Sequence, residues 1–393
     1  MNRLLQGDVG SGKTIVATIS ALTAIENQFQ AVIMAPTEIL AEQHYSKISK
    51  LLEPLSIKVV WLAGSLTPKQ KKLAAQACAD GSAQLIIGTH AVFQKNVEFA
   101  NLGLVVIDEQ HRFGVEQRLA LVNKGNKDQF PHQLMMSATP IPRSLAMSYY
   151  ADLDVSSIDE LPPGRTPIKT LLINNNRRNE VLKFVREHAN LGHQSYWVCP
   201  LIEESEKLEL ENAINTYNEL CVALAPIKVG LVHGKMKPKD KAEIMADFVS
   251  GWTQVLVATT VIEVGVDVPN ASIMVIEHSE RMGLAQLHQL RGRVGRGDIE
   301  SQCILLYENK LSEIAKQRLK VISTSTDGFE IARQDLLIRG PGELLGQRQS
   351  GLPALRFANL EEDLDILHAA RDIAKLRSEE HTSELQSLRH ISY

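Results

Sequence analysis

The sequence predicts an α/β protein with two lobes, each a parallel β-sheet wrapped by helices, followed by a helical segment. Three observations lead to this prediction. Short apolar runs alternate with helical stretches up to about residue 310, which is typical of parallel sheets with crossover helices. A Pro/Gly-rich stretch at residues 161–167 (LPPGRTP) interrupts the alternation and marks a boundary. After residue 310, two helical stretches follow one another.

The first lobe is predicted to begin with a strand at Leu4 and Leu5, followed by a Gly-rich loop and a helix from Ile15. Thr37 follows Pro36 and is placed to cap a helix that begins at Glu38. Further apolar strands are predicted at residues 31–35, 59–62, 85–87, 104–107 and 134–136, with a helix at 69–79.

The second lobe repeats this alternation, with strands predicted at residues 168–172, 195–198, 228–232 and 255–258 and a helix at 179–188. Two helices are predicted beyond it, at residues 311–324 and 329–338. The first has an apolar side composed of Leu311, Ile314, Ala315, Leu319 and Ile322.

The length of 393 residues is enough for two or three domains. We assign the first lobe to residues 1–160, the second to 161–310 and the helical part to 311–376. The stretch RSEEHTSELQS, which begins at Arg377, resembles a frame translation of a common sequencing-library adapter. We therefore predict that residues 377–393 are a non-native tail without packed structure, the alternative being a genuine polar tail.

The composition, 44% hydrophobic and 22% charged, is that of an ordinary globular protein. A net charge of −4 gives no basic footprint, so a nucleic acid would have to be held by local patches. The widely spaced Cys78, Cys199, Cys221 and Cys303 favour reduced thiols over disulfides or zinc. No apolar run reaches membrane-spanning length and no signal peptide precedes residue 7, so we expect a cytoplasmic protein without membrane contact.

The stretch GDVGSGKT at residues 7–14 is the first chemical signal, because it has P-loop spacing between a strand and a helix. Its glycines allow a tight turn whose backbone N–H groups point at phosphate oxygens. Lys13 would reach the β- and γ-phosphates, and Thr14 would hold Mg²⁺. The predicted nucleotide-binding residues are Gly7, Gly10, Ser11, Gly12, Lys13 and Thr14. The alternative is that the stretch is a Gly-rich turn between a strand and a helix, in which the Lys-Thr pair occurs by chance and binds no nucleotide.

The second signal is the pair Asp108 and Glu109, which follows the apolar strand at residues 104–107. Buried carboxylates are costly unless they meet a cation or a reactant, and ligands bind at the carboxyl ends of parallel strands. Asp108 would hold Mg²⁺, and Glu109 would polarise the water that attacks the γ-phosphate. The alternative is that the two acidic residues begin a helix, where negative charge interacts favourably with the helix dipole.

Ser137 and Thr139, at the next strand end, can relay hydrogen bonds from the nucleotide side.

The third signal is QLHQLRGRVGRG at residues 286–297, in which Arg293 and Arg296 are three apart. They would share a face of a helix, although the intervening glycines suggest that the helix breaks into a turn. Arginines on a second lobe can stabilise γ-phosphate charge only when the lobes close. The alternative is a solvated basic helix end.

His233 and His288 have no partner cluster for a metal and are interpreted as structural or DNA-side residues.

The motifs GDVGSGKT, APTEILAEQH, GTHAVFQ, DEQH and SATPIPR, in this order, resemble those of helicase superfamily 2. The forms DEQHRFG and SATPIPRSLA resemble the RecG family, whose nearest relative is the transcription-repair coupling factor. The resemblance implies two tandem RecA-like lobes, then a helical hairpin and hook. It implies ATP hydrolysis coupled to translocation on branched duplex DNA, in fork reversal and Holliday-junction branch migration. It also implies a bacterial, nucleoid-associated cytoplasmic enzyme, with single-stranded DNA-binding protein as a candidate partner.

The resemblance also assigns roles to individual residues. Arg293 and Arg296 match the arginine-finger motif, with Gln289 on the nucleotide side, while Gly265 and Asp267 contact nucleotide or bridge to it. The stretch DGFEIARQDLLIRGPGELLGQRQSG resembles the element that converts lobe closure into movement on DNA. DNA or coupling roles are implied for Thr37, Thr89, His90, Ser137, Thr139, His233, Thr259, Arg333, Arg339, Gln347 and Arg348.

Two alternatives stay open at this point. One is the motor of a transcription-repair coupling factor, although Gln110 and residues 340–351 favour RecG. The other is a non-catalytic, nucleotide-gated DNA-binding module, because Met1 lies inside the strand that leads to the P-loop and a shortened strand could distort the loop. We expect Met1 to be an internal methionine of a longer chain, since the family's N-terminal oligonucleotide-binding wedge has no counterpart here.

Overall fold

The computed structural model describes residues 1–94, 96–109, 124, 130–138, 153–160, 167–200, 206–259, 268, 270–295, 297, 299–339, 365–366, 369–370 and 373. These residues form two parallel β-sheets with helices against their faces, which confirms the predicted α/β class. The predicted tail at 377–393 lies outside the described residues, as does the region predicted to form the hook at 340–350.

The first sheet has the described strand order β3-β4-β2-β5-β6-β1-β7, with parallel pairing throughout. Its strands are β1 (Asn2–Gly7), β2 (Gln30–Met34), β3 (Val59–Leu62), β4 (Leu85–Gly88), β5 (Leu102–Ile107), β6 (His132–Ser137) and β7 (Asp154–Ile158). Its described helices are α1 (Lys13–Glu26), α2 (Glu38–Leu52) and α3 (Pro68–Ala79). The strand before the P-loop, β1, is an interior strand because it pairs with both β6 and β7.

The second sheet has the described order β10-β11-β9-β12-β13-β8 and is also parallel. Its strands are β8 (Lys169–Asn174), β9 (Gln194–Cys199), β10 (Val229–Val232), β11 (Val255–Thr259), β12 (Ala271–Ile276) and β13 (Gln302–Tyr307). Its described helices are α4 (Arg178–Asn190), α5 (Glu206–Leu224), α6 (Pro238–Val249) and α7 (Leu284–Arg291).

Both sheets are buried on two faces, which explains why their strands are continuous apolar runs in the sequence. Along β2, Val32 and Met34 pack in one cluster with residues of α3, whereas Ala31 and Ile33 pack on the other face against α1 and α2. The second sheet likewise separates two clusters. This arrangement leaves the carboxyl ends of the strands as the place where polar side chains can gather.

The helical part after the second sheet consists of α8 (Glu313–Thr324) and α9 (Gly328–Arg339). The predicted start at Leu311 is wrong, because the Ser312 side chain caps α8 by accepting a hydrogen bond from the N–H of Ala315 at 3.2 Å. Ile314 is also misassigned, since 48% of it is exposed. The buried residues recur at helical spacing from Ala315, and Ile314 lies one position, about 100°, away from that stripe.

The four cysteines all lie among the described residues and are free thiols, as predicted. Burial raises the pKa of Cys78 to about 11 and that of Cys303 to about 12, so neither is a reactive thiolate. Within the described part of the chain, no helix combines the length and apolarity needed to cross a bilayer.

Candidate active site

The P-loop connects β1 to α1, as the sequence predicted. Gly10 and Gly12 have φ angles of 83° and 94°, a left-handed conformation that glycine adopts without a steric penalty. Gly7 is required for a different reason, namely space. A Cβ atom there would lie 2.6 Å from the Ser11 Oγ and 3.0 Å from the carbonyl oxygen of Ile158 on β7. The loop is therefore shaped by its own backbone and by the neighbouring strand.

Lys13 is the first residue of α1 and is buried. Its Nζ donates hydrogen bonds to the carbonyl oxygens of Gly7 at 2.7 Å and Asp8 at 2.8 Å. These bonds hold the ammonium group over the loop, next to backbone N–H groups at the positive end of the helix dipole. The arrangement is suited to the oxygens of a phosphate chain.

The acidic pair follows β5 directly. Asp108 is buried, and its Oδ2 accepts a hydrogen bond from the His44 Nε2 at 2.8 Å. Its Oδ1 accepts one from the N–H of Glu109 at 3.0 Å. Burial by itself would raise the pKa of Asp108, but the His44 bond, the nearby charges of His44 and Lys13 and the Glu109 N–H together hold it below the usual value. Asp108 is therefore a buried carboxylate that stays ionised.

These residues surround one cavity of about 470 Å³. Both lobes contribute to it, because Arg293 of the second lobe shares its wall with Lys13, Asp108 and Glu109 of the first. The cavity is lined by Val9, Gly10, Gly12, Lys13, Thr14, Ile15, Thr18, Leu40, Gln43, His44, Lys47, Ile48, Leu51, Asp108, Glu109, Ala138 and Arg293.

Arg293 lies just beyond the end of a helix. α7 ends at Arg291, and Gly292 is its C-cap, so the predicted break into a turn is confirmed. Arg293 therefore lies outside the helix, in the turn that the intervening glycines predict. Arg296 itself lies outside the described residues. Gln289 is on α7, half-buried, and is not one of the cavity-lining residues.

The residues predicted to contact DNA or couple the sites lie at strand ends. Thr37 follows β2 and caps α2, its Oγ1 accepting from the N–H of Leu40 at 3.4 Å. Thr89 follows β4, and His90 begins a short 3₁₀ helix. The remaining described members of this set are Ser137 at the end of β6, His233 after β10 and Thr259 at the end of β11. All of them are thus on the carboxyl edges of the two sheets.

Several predicted residues cannot be placed. Thr139, Gly265, Asp267, Gln347, Arg348 and the side chain of Arg339 lie outside the described residues. Arg333 on α9 is described, and half of its side chain is exposed. It donates two hydrogen bonds to Glu330, at 2.9 and 3.0 Å. Through these bonds and one from Gln334, the pKa of Glu330 is lowered to about 2.

Comparisons with known proteins agree with this architecture. The family model described as "DEAD/DEAH box helicase" matches residues 1–148, and "Helicase conserved C-terminal domain" matches residues 176–298. A third, "ATP-dependent DNA helicase RecG, domain 3, C-terminal", matches residues 325–388. The chain is 56% identical over 391 residues, 99% of its length, to "ATP-dependent DNA helicase RecG" of Escherichia coli O157:H7. The chain belongs to the RecG family.

A second RecG relative, from Haemophilus influenzae, is 53% identical over 390 residues, again 99% of this chain. The chain spans 56% of the length of each of these two relatives. A solved structure of RecG bound to a three-way DNA junction has 47% identity and a TM-score of 0.76, covering 93% of this chain and 47% of that one. These matches favour RecG over the coupling-factor alternative.

The two lobes have the tandem RecA-like fold of helicases. Dbp5 of S. cerevisiae, solved with RNA and ADP BeF3, has a TM-score of 0.63 and covers 86% of this chain and 88% of its own. Its identity is only 18%, so this likeness concerns the fold alone.

Sequence reasoning missed two residues of this RecG-family site. His44, on α2, was not considered because its partner Asp108 is 64 residues away and no spacing rule links them. Asp8 lies at a position of the P-loop pattern to which the spacing assigns no role. His288 was interpreted as a structural or DNA-side residue, but the structure places it against the P-loop, with its Nε2 2.9 Å from the Asp8 Oδ1.

Proposed function

We propose that this chain is the ATP-hydrolysing motor of a RecG-type helicase, which couples hydrolysis to translocation on branched duplex DNA. The observation that carries the proposal is the shared cavity, in which Lys13, Asp108 and Glu109 of one lobe face Arg293 of the other. Support also comes from the relatives, which are named as ATP-dependent DNA helicases.

The residues of the cavity divide the chemistry of phosphoryl transfer between them. Lys13 would exchange its bonds with the loop carbonyls for bonds with the β- and γ-phosphates. Glu109 would polarise the attacking water, and Arg293 would stabilise the charge that develops on the γ-phosphate. Because Arg293 belongs to the second lobe, hydrolysis would depend on the position of that lobe.

The donor atoms at the site fit Mg²⁺. Mg²⁺ prefers oxygen ligands and typically takes one or two carboxylates together with phosphates and water. Asp108 supplies an ionised carboxylate and Thr14 a hydroxyl, both on the wall of the cavity. Among the described residues there is no cluster of three or more His, Cys, Asp and Glu, as a metal held wholly by such side chains would need. When bound, the ion would neutralise phosphate charge.

His44 is expected to set the Mg²⁺ requirement through Asp108. Replacing His44 with Ala removes the donor to Oδ2, so the Mg²⁺ concentration for half-maximal ATP hydrolysis should rise by about 10–100-fold. Gln can donate from a similar position, so His44→Gln should restore much of the affinity. Ser46→Ala, on the exposed side of α2, is the matched control. An unchanged Mg²⁺ midpoint in His44→Ala would exclude this role.

Contacts with DNA are proposed for the strand-end residues. Thr37, Thr89 and Ser137 on the first sheet and His233 and Thr259 on the second lie at the carboxyl edges, where parallel sheets bind ligands. Polar side chains of this kind suit phosphate contacts, which position a protein on DNA without reading its sequence. For His90, Arg333, Arg339, Gln347 and Arg348, the coupling role is a proposal that rests on the family resemblance.

The finer biological role is also a proposal. The junction-bound relative supports action on branched DNA. The proposed roles at forks and Holliday junctions, in recombination and repair, rest on the family resemblance. A bacterial cytoplasmic location at the nucleoid, and single-stranded DNA-binding protein as a partner, would follow from that role. The division at residues 160 and 310 is supported by two sheets that span residues 2–158 and 169–307.

DNA-stimulated ATP hydrolysis by the purified chain tests the proposed function. We expect turnover to rise on addition of a three-way junction, and to rise less with linear duplex of equal length. A non-catalytic nucleotide-gated module would bind ATP but show no such turnover. The interior position of β1 between β6 and β7 supports the catalytic alternative, because both neighbours brace the strand that carries the P-loop.

A further inference from the structure

A partly buried hydrogen bond joins the two lobes at the P-loop. His288 on α7 is only 4% exposed, and its Nε2 lies 2.9 Å from the Oδ1 of Asp8. The same oxygen accepts a bond from the N–H of Val9 at 2.7 Å, which fixes the carboxylate relative to the loop. The bond therefore connects the second lobe to the loop that holds the phosphates.

The neighbours of His288 determine which of its ring nitrogens donates to Asp8. The Nη2 of Arg291 is 3.1 Å from the His288 Nδ1, and a guanidinium group can only donate. Nδ1 must therefore be the unprotonated nitrogen, so Nε2 carries the hydrogen and donates it to Asp8. The ring of His288 is thus oriented from both sides, and its bond to the Asp8 carboxylate is charge-assisted.

Arg291 is itself held in place. It is 3% exposed, and its Nη1 donates to the carbonyl oxygens of Ile322 at 2.8 Å and Ser325 at 2.7 Å. These carbonyls are at the carboxyl end of α8, where backbone acceptors lack helical partners. The ring of His288 therefore contacts an arginine that is anchored to the carboxyl end of α8, in the helical part that follows the second lobe.

The end of α7 also packs on the P-loop. A Cβ atom on Gly292 would lie 3.0 Å from the Cβ of Val9, so only glycine allows this close approach without a shift. Ile39 of α2 adds a second apolar contact, against the core of the second lobe. Arg293 follows Gly292 directly and lines the nucleotide cavity. The residue that contacts the other lobe, Gly292, is therefore followed directly by the residue that lines the cavity, Arg293.

We propose that the Asp8–His288 hydrogen bond is a latch that seats the second lobe on the P-loop and thereby positions Arg293. His288 is a positioning residue, since it acts through Arg293 and does not itself line the cavity. The effect of the bond on hydrolysis rests on the proposed function. That the bond holds the two lobes together does not, and this can be tested without nucleotide. Because a displacement of about 1 Å can lower rates by 10²-fold, such a latch would control turnover.

Disulfide trapping measures the contact independently of ATP hydrolysis. In Val9→Cys/Gly292→Cys protein, the two Cβ atoms would start 3.0 Å apart, about 0.5 Å below the usual lower limit for a disulfide, so the added side chain must move outward slightly before the bond can form. Cys78, Cys199 and Cys303 are buried and compete little. Adding His288→Ala should slow disulfide formation by about tenfold or more, the range expected when a charge-assisted bond is lost. His288→Gln, whose Nε2 can donate to Asp8, should restore the rate.

Two further variants distinguish the loss of this hydrogen bond from a general folding defect. His278→Ala changes a second-lobe histidine that lies beside Glu280 and Glu308, away from the P-loop contact, and should leave the trapping rate unchanged. Asp8→Ala should slow trapping at least as much as His288→Ala does, and combining the two should add little to the effect of Asp8→Ala, because both remove the same bond between the lobes. Equal trapping rates in His288→Ala and the parent cysteine pair would overturn the latch.

A double-mutant cycle on turnover tests the link to Arg293. His288→Ala should lower kcat by at least about tenfold with little change in the Kd of ATP, and should have almost no further effect in an Arg293→Ala background. Additive losses would show that His288 does not act through Arg293. If the unmodified chain hydrolyses no ATP, the proposed function fails while the trapping result still decides the latch. The two failures are therefore distinguishable.

Discussion

Glu109→Gln is expected to lower DNA-stimulated ATP turnover by about 10²–10⁴-fold, the range that general acid–base catalysis supplies. Glutamine has the same shape but cannot accept a proton from the attacking water. Glu109 lies on the cavity wall with a left-handed φ of 50°, directly after the buried Asp108. Binding of ATP should persist, because Lys13 and the loop are unchanged. Steady-state hydrolysis and equilibrium binding of a fluorescent ATP analogue, measured together, provide the test.

The matched control for this substitution is Glu42→Gln, an exposed glutamate of α2 in the same lobe. It makes the same chemical change outside the cavity and should retain full turnover. If Glu109→Gln hydrolyses ATP as fast as the unmodified chain, Glu109 is not the base. A parallel loss of ATP binding would instead indicate that the substitution distorts the P-loop side of the site.

Arg293→Ala is expected to lower kcat by about 10³–10⁵-fold, as arginine fingers do, while the Kd of ATP changes much less. The reason is that charge on the γ-phosphate oxygens grows only as the transition state forms, so the arginine acts mainly there. Arg293 reaches the cavity from the second lobe, through the turn that follows α7. Single-turnover hydrolysis and ATP titration on the same preparation separate the two effects.

Arg296→Ala provides the comparison within the motif, and we expect the same collapse of hydrolysis for it. Arg281→Ala, at a half-exposed position before α7, is the control and should leave kcat unchanged. Equal losses of kcat and ATP affinity in Arg293→Ala would make it a ground-state binder. In that case the transition-state role would fall to Arg296 alone.

The sequence was informative where function depends on neighbours in the chain. The P-loop glycines could be predicted because a positive φ at Gly10 and Gly12 is a local requirement. The position of Asp108 and Glu109 could be predicted because the carboxyl ends of parallel strands meet at one edge of a sheet. Both the α/β class and the alternation of strands and helices follow from the apolar periodicity of short segments.

Sequence patterns failed where the outcome depended on exact geometry. The predicted stripe on α8 is one position too wide, because the buried residues recur at helical spacing from Ala315 and Ile314 lies beside that stripe, exposed. Part of the space needed at Gly7 was not foreseeable either, since one of the two obstructing groups, the carbonyl of Ile158, belongs to β7, far along the chain.

The residues that complete the site came only from the tertiary structure. His44 meets Asp108 across 64 residues, and His288 meets Asp8 across 280 residues and between two lobes. No spacing rule covers such pairs, because their distance depends on how helices pack on sheets and how one lobe rests on the other. By itself the sequence determined the fold class and which reactive or polar side chains follow each strand. Tertiary packing decided which of those ends face each other, because hydrogen bonds require contact in space, not proximity in the chain.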